Sequence, residues 1–461
     1  MQVAIDNISE LEKKINIVLS TKEIDEAYDK KIDELSTQAH LEGFRVGQGK
    51  RQNKNVRKRA LQLRYGNSIR EEVLQELMEK SFQDTISENK FKIIGTPDLD
   101  IKQREKGKDV EYSVAFEVMP DINFDKINKD NFSIEKNIVE VTDEDVKFAI
   151  EKVLKDSGKF EEKDSKITAK SVVEAEIDFE VDLGEKTENG ETVKKFAEQM
   201  RFDLADEDLK GFLFDVKKLL SGKKAEDEVT AEFTYPEDYF SKELAGKKAT
   251  VKIKIKKVGE VKPAELNKEF YTRFGITEEA EQTEEALNKK VKEILEAESK
   301  KITQNKLYAD FSEKLSTELD FPLPKIVLEG ELGRVNNARA SYCNIFKKND
   351  DKVNITDAKA EEEATKSGKV TVIISRFAED NNLAYTQENQ KALDKKIQAK
   401  LYGLVDTNEM MYYSQMSEEG FKRYMDSLKD LAYNHIVLDE LLSNVNVVEK
   451  KVSYKELTEQ K

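Results

Sequence analysis

Six prolines and 19 glycines are spread through 461 residues, and that scarcity of breakers is the strongest constraint on what this chain can become. Proline removes a backbone donor and glycine loosens the chain. A sequence poor in both can run long, uninterrupted helices and strands. Its length exceeds what one hydrophobic core organises, so roughly two to four domains are expected. Apolar residues make up 38% and charged residues 37%, a polar balance for a large globular enzyme. Their regular spacing still reads as folded, with long exposed helices and much surface.

The period of that spacing changes along the chain. Residues 1–118 read as one α+β unit. Ile15, Ile17 and Leu19 alternate as in a half-buried strand, and Ser20 with Glu23 forms a candidate capping box. Ile24, Tyr28, Ile32, Leu35 and Ala39 then recur at helical spacing, and a second helix carries Val73, Leu74, Leu77, Met78 and Phe82. Val110, Tyr112, Val114, Phe116 and Val118 close the unit in strict alternation. A second, β-rich unit spans 155–258: Val173 to Val181, Val229 to Tyr235 and Val251 to Ile255 alternate, with one short helix near 205–220. From Pro263 onward the pattern is helical, with a possible short strand near 369–375. Phe421, Tyr424, Leu428, Leu431, His435, Leu438 and Leu442 step by three and four, a heptad-like seam. No internal repeat of fixed period is visible.

Several function classes drop out. The formal charge is −16, which argues against a general nucleic-acid binder. Cys343 is the single cysteine and His40 and His435 the only histidines, so no disulfide, cysteine zinc site or histidine metal cluster is expected, and no cofactor. Cys343 is also a poor candidate for a catalytic thiol. His435 reads as a packed residue on its seam. The N-terminal stretch lacks the basic-then-apolar pattern of a signal peptide, and no run of about 18 apolar residues could span a bilayer. A soluble, cytoplasmic protein is expected.

Against that acidic background one block is basic. From Arg45 to Arg64 stand Arg45, Lys50, Arg51, Lys54, Arg57, Lys58, Arg59 and Arg64, with no acidic residue. Gly43, Gly47 and Gly49 permit a tight exposed turn at its start. Arginine offers forked donors suited to phosphate and carboxylate, and counterion release would supply affinity without sequence reading. The alternative is a solvated helix face. In the helical region, Met410, Met411, Tyr412, Tyr413 and Met416 form an adaptable apolar stretch suited to promiscuous binding, although burial statistics favour core.

Gly43-Phe44-Arg45 resembles the opening of the trigger-factor signature, Gly-Phe-Arg-x-Gly-Lys-x-Pro, and Arg64-Tyr65-Gly66 resembles the Arg-Tyr-Gly that follows it. Ile138 to Val146 is similar to the segment before that family's middle domain. Glu265 to Ile276, with Arg273-Phe274-Gly275, is similar to the start of its helical C-terminal region. The likenesses run in family order along essentially the whole chain. Two departures stand out: Gln48-Gly49-Lys50 replaces the Lys-x-Pro, and a longer spacer precedes Arg64.

The resemblance implies an α+β multidomain chain with four parts. These are an α+β ribosome-docking domain (1–118), a connecting segment packing with the C-terminal body (119–154), an FKBP-like middle domain (155–258) and an all-α C-terminal body with arms (259–461). It implies docking on the large ribosomal subunit near the nascent-chain exit through Gly43, Phe44, Arg45, Gly47, Lys50 and Arg51, with RNA contacted only through the ribosome. Unfolded nascent polypeptides would be the clients and no membrane would be involved. The FKBP-type domain implies prolyl isomerisation, in which an apolar aromatic pocket lowers an amide rotation barrier of about 18–20 kcal/mol.

Phe179, Leu213, Val216 and Tyr239 fall at pocket positions. Leu213 to Lys217 replaces the family's Ile-Pro-Gly-Phe-Glu, and Val216 and Val251 stand where aromatic walls are usual. Asp215 would bring a charge toward a pocket that ought to be dry, unless Phe212 or Phe214 swings inward to rebuild the wall. Reduced activity is therefore expected. The alternatives are an active prolyl isomerase that the flanking domains deliver to unfolded substrates, and a holdase of similar architecture working outside the cytoplasm.

Overall fold

The computed structural model describes residues 2–38, 51–105, 107–183, 193–278, 282–342, 344–349, 354–405, 407–415 and 417–459. The chain divides into two compact units, residues 1–122 with 320–329, and residues 123–319 with 330–461.

In the first unit, β1 (Gln2–Asn7), β2 (Glu12–Leu19), α1 (Thr21–Gln38), α2 (Arg51–Asn89), β3 (Ile93–Gln103) and β4 (Val110–Val118) follow in order. The sheet is antiparallel in the order β1-β2-β4-β3. Ile15, Ile17 and Leu19 of β2 and the alternating residues of β4 bury against Ile24 and Leu74 of the helices. The Ser20–Glu23 capping box forms, with the Ser20 amide donating to the Glu23 carboxylate at 3.0 Å. Helix α2 runs for 39 residues, as the lack of prolines allows. Lys31 of α1 clamps it through Glu72 at 2.9 Å and Glu76 at 2.5 Å.

The second unit opens with β5 (Ser133–Val139) and α3 (Asp143–Asp156). Its middle sheet comprises β6 (Lys159–Glu162), β7 (Val172–Asp182), β8 (Val193–Asp203), β9 (Glu228–Thr234) and β10 (Lys248–Lys262), with the short helix α4 (Val216–Leu220) between β8 and β9. The order is β6-β10-β7-β8, with β9 also on β10. Strand β10 is long enough to hold β9 along Lys248–Lys254 and β6 along Gly259–Lys262. Gly259 faces the Glu161 carbonyl so closely that any side chain there would collide. Strand β7 buries Val173, Ala175, Ile177, Phe179 and Val181, and α4 returns Val216 and Leu220 to the same core.

Helices α5 (Lys268–Arg273), α6 (Glu284–Glu318), α7 (Lys325–Tyr342), α8 (Asp357–Asp380), α9 (Gln390–Leu404), α10 (Thr407–Ser414) and α11 (Glu418–Ser443) follow, then β11 (Asn446–Val452) and α12 (Tyr454–Glu459). The C-terminal region is helical as expected, except that β11 pairs in parallel with β5. Residues 369–375 are not a strand; they lie within α8. Their β-branched run suggests a strand locally, but Ala360, Ala364, Gly368 and Val372 make a buried stripe at helical spacing that decides the matter. On α11 the heptad-like seam drifts: Leu431 is 41% exposed and Ala432 is buried in its place. A helical stripe need not stay on the strict a/d line when it packs on more than one neighbour.

Candidate functional site

The buried face of the middle sheet carries a continuous aromatic lining. Phe179 on β7 lies opposite Phe196 on β8 and Val251 on β10. Its ring is 5.9 Å from Phe196, 5.9 Å from Phe233 and 6.5 Å from Tyr235. Phe214 sits 5.8 Å from Phe233 and 5.7 Å from Phe212, and Tyr239 sits 4.6 Å from Tyr235. The fold thus brings Phe179, Val216 and Tyr239 into one buried cluster, with Leu213 packed against it.

In the altered segment one expectation needs correction, and the alternative raised beside it is what the structure shows. Asp215 puts no charge in the pocket: it is exposed and N-caps α4, its carboxylate accepting from the Lys218 amide at 3.0 Å. With Asp215 turned out to cap the helix, Phe212 and Phe214 just before it turn in and are 6% and 7% exposed. The valines at 216 and 251 are therefore compensated by aromatics from the neighbouring segment.

What the sequence did not reveal is that this pocket is filled. Phe346, from the segment between α7 and α8, is 4% exposed and packs edge-on against Phe179 at 5.1 Å. The Leu213 amide donates to the Phe346 carbonyl at 2.8 Å, and the Lys348 amide donates to the Gly211 carbonyl at 2.9 Å. Phe212 and Lys347 form an antiparallel bridge between them. The Tyr239 hydroxyl donates to the Lys347 carbonyl at 2.8 Å, and that of Tyr235 to the Ile345 carbonyl at 3.1 Å. Burial pushes the Tyr235 hydroxyl pKa well up, which keeps it a donor. These groups bind and orient a peptide backbone; they include no acid/base pair or nucleophile.

Among the described residues, neither unit contains a cluster of His, Cys, Asp or Glu able to hold a metal ion, nor a helix long and apolar enough to cross a membrane. Family models for the bacterial trigger factor protein and for its C-terminus match residues 1–153 and 283–443. A curated trigger factor from Marinobacter nauticus is 30% identical over 462 residues, covering 99% of this chain and 98% of that protein. The chain belongs to the trigger factor family. Its role is accordingly that of a folding chaperone acting on nascent or unfolded polypeptides. A solved chain described as "Promiscuous Substrate Recognition in Folding and Assembly Activities of the Trigger Factor Chaperone" aligns over 96% of this chain and 99% of that one. The two are 20% identical, with a TM-score of 0.36.

Of the docking residues suggested by the family signature, Gly43, Phe44, Arg45, Gly47 and Lys50 lie outside the described residues, and Arg51 opens α2. Further along α2 the basic block divides. Lys58 pairs with Asp33 and Arg57 is buried, while Arg59 and Arg64 are exposed. Val56 and Leu63 are 55% and 82% exposed. With Arg59 they stand at i, i+3 and i+7, on one face.

In the helical region, Met410, Met411 and Tyr412 are exposed at 42%, 57% and 63%. They are surface, not the core that burial statistics favoured. Tyr413 stacks on Tyr424 at 4.2 Å, and Met416 and Cys343 lie outside the described residues. His435 is packed as expected, stacked on Tyr308 at 4.1 Å.

Proposed function

We propose that this chaperone works in the cytoplasm, docked on the large ribosomal subunit near the nascent-chain exit. Docking runs through Gly43, Phe44, Arg45, Gly47, Lys50 and Arg51, and the ribosome supplies the RNA contact. The observation that carries this reading is a basic run inside a chain of net charge −16. It continues onto a face of α2 where exposed Arg59 and Arg64 flank exposed Val56 and Leu63. Paired charge and apolar surface on one helix suit a partner that is both anionic and structured. Clients are held on scattered exposed apolar residues, of which Met410, Met411 and Tyr412 are the densest group.

Phe44→Ala combined with Arg45→Ala should abolish co-sedimentation with ribosomes without changing the melting temperature. Binding of the unaltered chain should fall steeply as salt rises. Co-sedimentation of the double variant at the unaltered level across that range would overturn the docking assignment.

The middle sheet is read as an FKBP-type prolyl isomerase domain, with Phe179, Leu213, Val216 and Tyr239 at the prolyl pocket. Complete aromatic walls favour retained catalytic capacity, and the seated Phe346 ring favours low turnover in the intact chain. A protease-coupled assay on a proline-containing peptide measures that turnover directly.

A further inference from the structure

The middle pocket would be an ordinary closed core were its last wall not a segment recruited from far along the chain. Residues 344–349 lie far along the chain from the strand residue they cover, Phe179 of β7. Their hold is of two kinds, each with its own consequence.

The first is backbone pairing. The Leu213 amide donates to the Phe346 carbonyl and the Lys348 amide to the Gly211 carbonyl across the isolated Phe212–Lys347 bridge, and a turn closed by the Lys347 amide on the Asn344 carbonyl at 3.1 Å presents Phe346. These contacts, and the two tyrosine hydroxyls that donate to backbone carbonyls, recognise a main chain of any sequence. The Phe346 ring enters the aromatic lining with Ile345 packed beside it, and the Lys347 ammonium lies 5.7 Å from the centre of the Phe212 ring. The deepest seat of the pocket is thus for one aromatic side chain.

The second is a staple that holds mainly the segment's own backbone and also reaches the Tyr239 hydroxyl at 3.4 Å. Asn354 is 0% exposed. Its side-chain amide donates to the carbonyls of Asn344 at 2.8 Å, Lys347 at 2.7 Å and Lys348 at 3.2 Å, while its oxygen accepts from the Asn344 amide at 3.0 Å. Asn349 adds a tie to the sheet side, donating to the Asp238 carbonyl at 2.8 Å and accepting from the Phe240 amide at 2.9 Å. The segment is preorganised in its seated shape.

We infer that residues 344–349 are an internal latch on a peptide-binding pocket, Phe346 filling the seat that an aromatic side chain of a client segment takes when the latch opens. Tethering gives the internal segment a high effective concentration, so a free peptide with the same contacts competes poorly until the latch is weakened. The ligand class rests on the proposed reading of this pocket as one that handles unfolded polypeptide; the occupancy by Phe346 does not.

The test uses the full-length chain and a fluorescein-labelled peptide with the sequence of residues 344–349, followed by fluorescence anisotropy. Phe346→Ala empties the seat, and Asn354→Ala releases the staple while leaving the Phe346 ring and every aromatic side chain of the pocket in place. Each variant, once circular dichroism and melting show it folded, should bind the probe about tenfold or more tighter than the unaltered chain. The same probe with alanine for phenylalanine should not bind. Should one variant fail to fold, the other carries the test. Probe binding within twofold of the unaltered chain in a folded variant would overturn the latch, as would equal binding of the alanine probe. Prolyl-isomerase turnover, measured in parallel, reports on the other reading: binding gained without turnover removes the isomerase assignment and leaves the latch standing.

Discussion

The pocket of the middle sheet and the outer face of α2 are both apolar surfaces with basic residues beside them, and the chain treats them oppositely. Phe346 is 4% exposed in the first, whereas Leu63 is 82% exposed on the second. The difference lies in the backbone. A helix satisfies its own amides and carbonyls, so leaving Leu63 uncovered costs only the hydration of its side chain. Around the pocket, the Leu213 amide and Gly211 carbonyl lie in the connection between β8 and α4, outside any strand, and need partners, and the segment at 344–349 supplies them. A helix face can therefore wait for a partner at little cost, whereas irregular backbone beside an aromatic lining draws in the nearest chain.

The comparison can be broken most easily at Phe179. Its ring touches the linings of both the sheet and the latch, so Phe179→Ala should destabilise the second unit by about 3–5 kcal/mol, read by urea unfolding. A cost below about 1 kcal/mol would mean that the pocket is not packed as described.

A second closed site gives a smaller, pH-dependent effect. His435 stacks on Tyr308, whose hydroxyl donates to Asp439 at 2.6 Å while Lys400 bridges both. Burial, then the nearby Lys400 ammonium, lowers the His435 pKa to about 4, with Asp439 opposing. The folded pKa lies below the unfolded value of about 6.5. The stability that His435 contributes is therefore full above pH 6.5 and lost as pH falls from there through 4. The loss should be on the order of 2 kcal/mol, and His435→Gln should flatten it in urea titrations across that window. An unchanged slope in the variant would assign the loss to other groups.

The smallest effect belongs to the open face. Leu63→Ala should leave stability within about 0.5 kcal/mol yet weaken ribosome co-sedimentation measurably. A large stability loss would show that Leu63 is covered in solution.

Much of this architecture was legible because strand and helix periods were clean. The alternation at Val110–Val118 and Val173–Val181 became β4 and β7, and the scarcity of proline became the 39 residues of α2. What escaped had little local signal. Strand β11 is mostly exposed and pairs with β5, far away in sequence. Strand β8 alternates only through Phe196, Met200 and Phe202, with Glu198 interrupting the pattern. Asp215 read as a misplaced charge because its capping role depends on where α4 begins. Ile345-Phe346 between asparagine and lysines reads as loop, and only the fold brings it to Phe179.

Whether Phe346 occupies the pocket in solution is the point on which this account turns, and hydrogen exchange of the full-length chain measures it most directly. The amides of Leu213 and Lys348 are engaged across the latch, so peptides covering 211–213 and 346–348 should exchange slowly in the free protein. Both should speed up together in Asn354→Ala. Fast exchange of 346–348 in the unaltered chain, at the rate of an unstructured peptide, would contradict the account and return the pocket to open solvent.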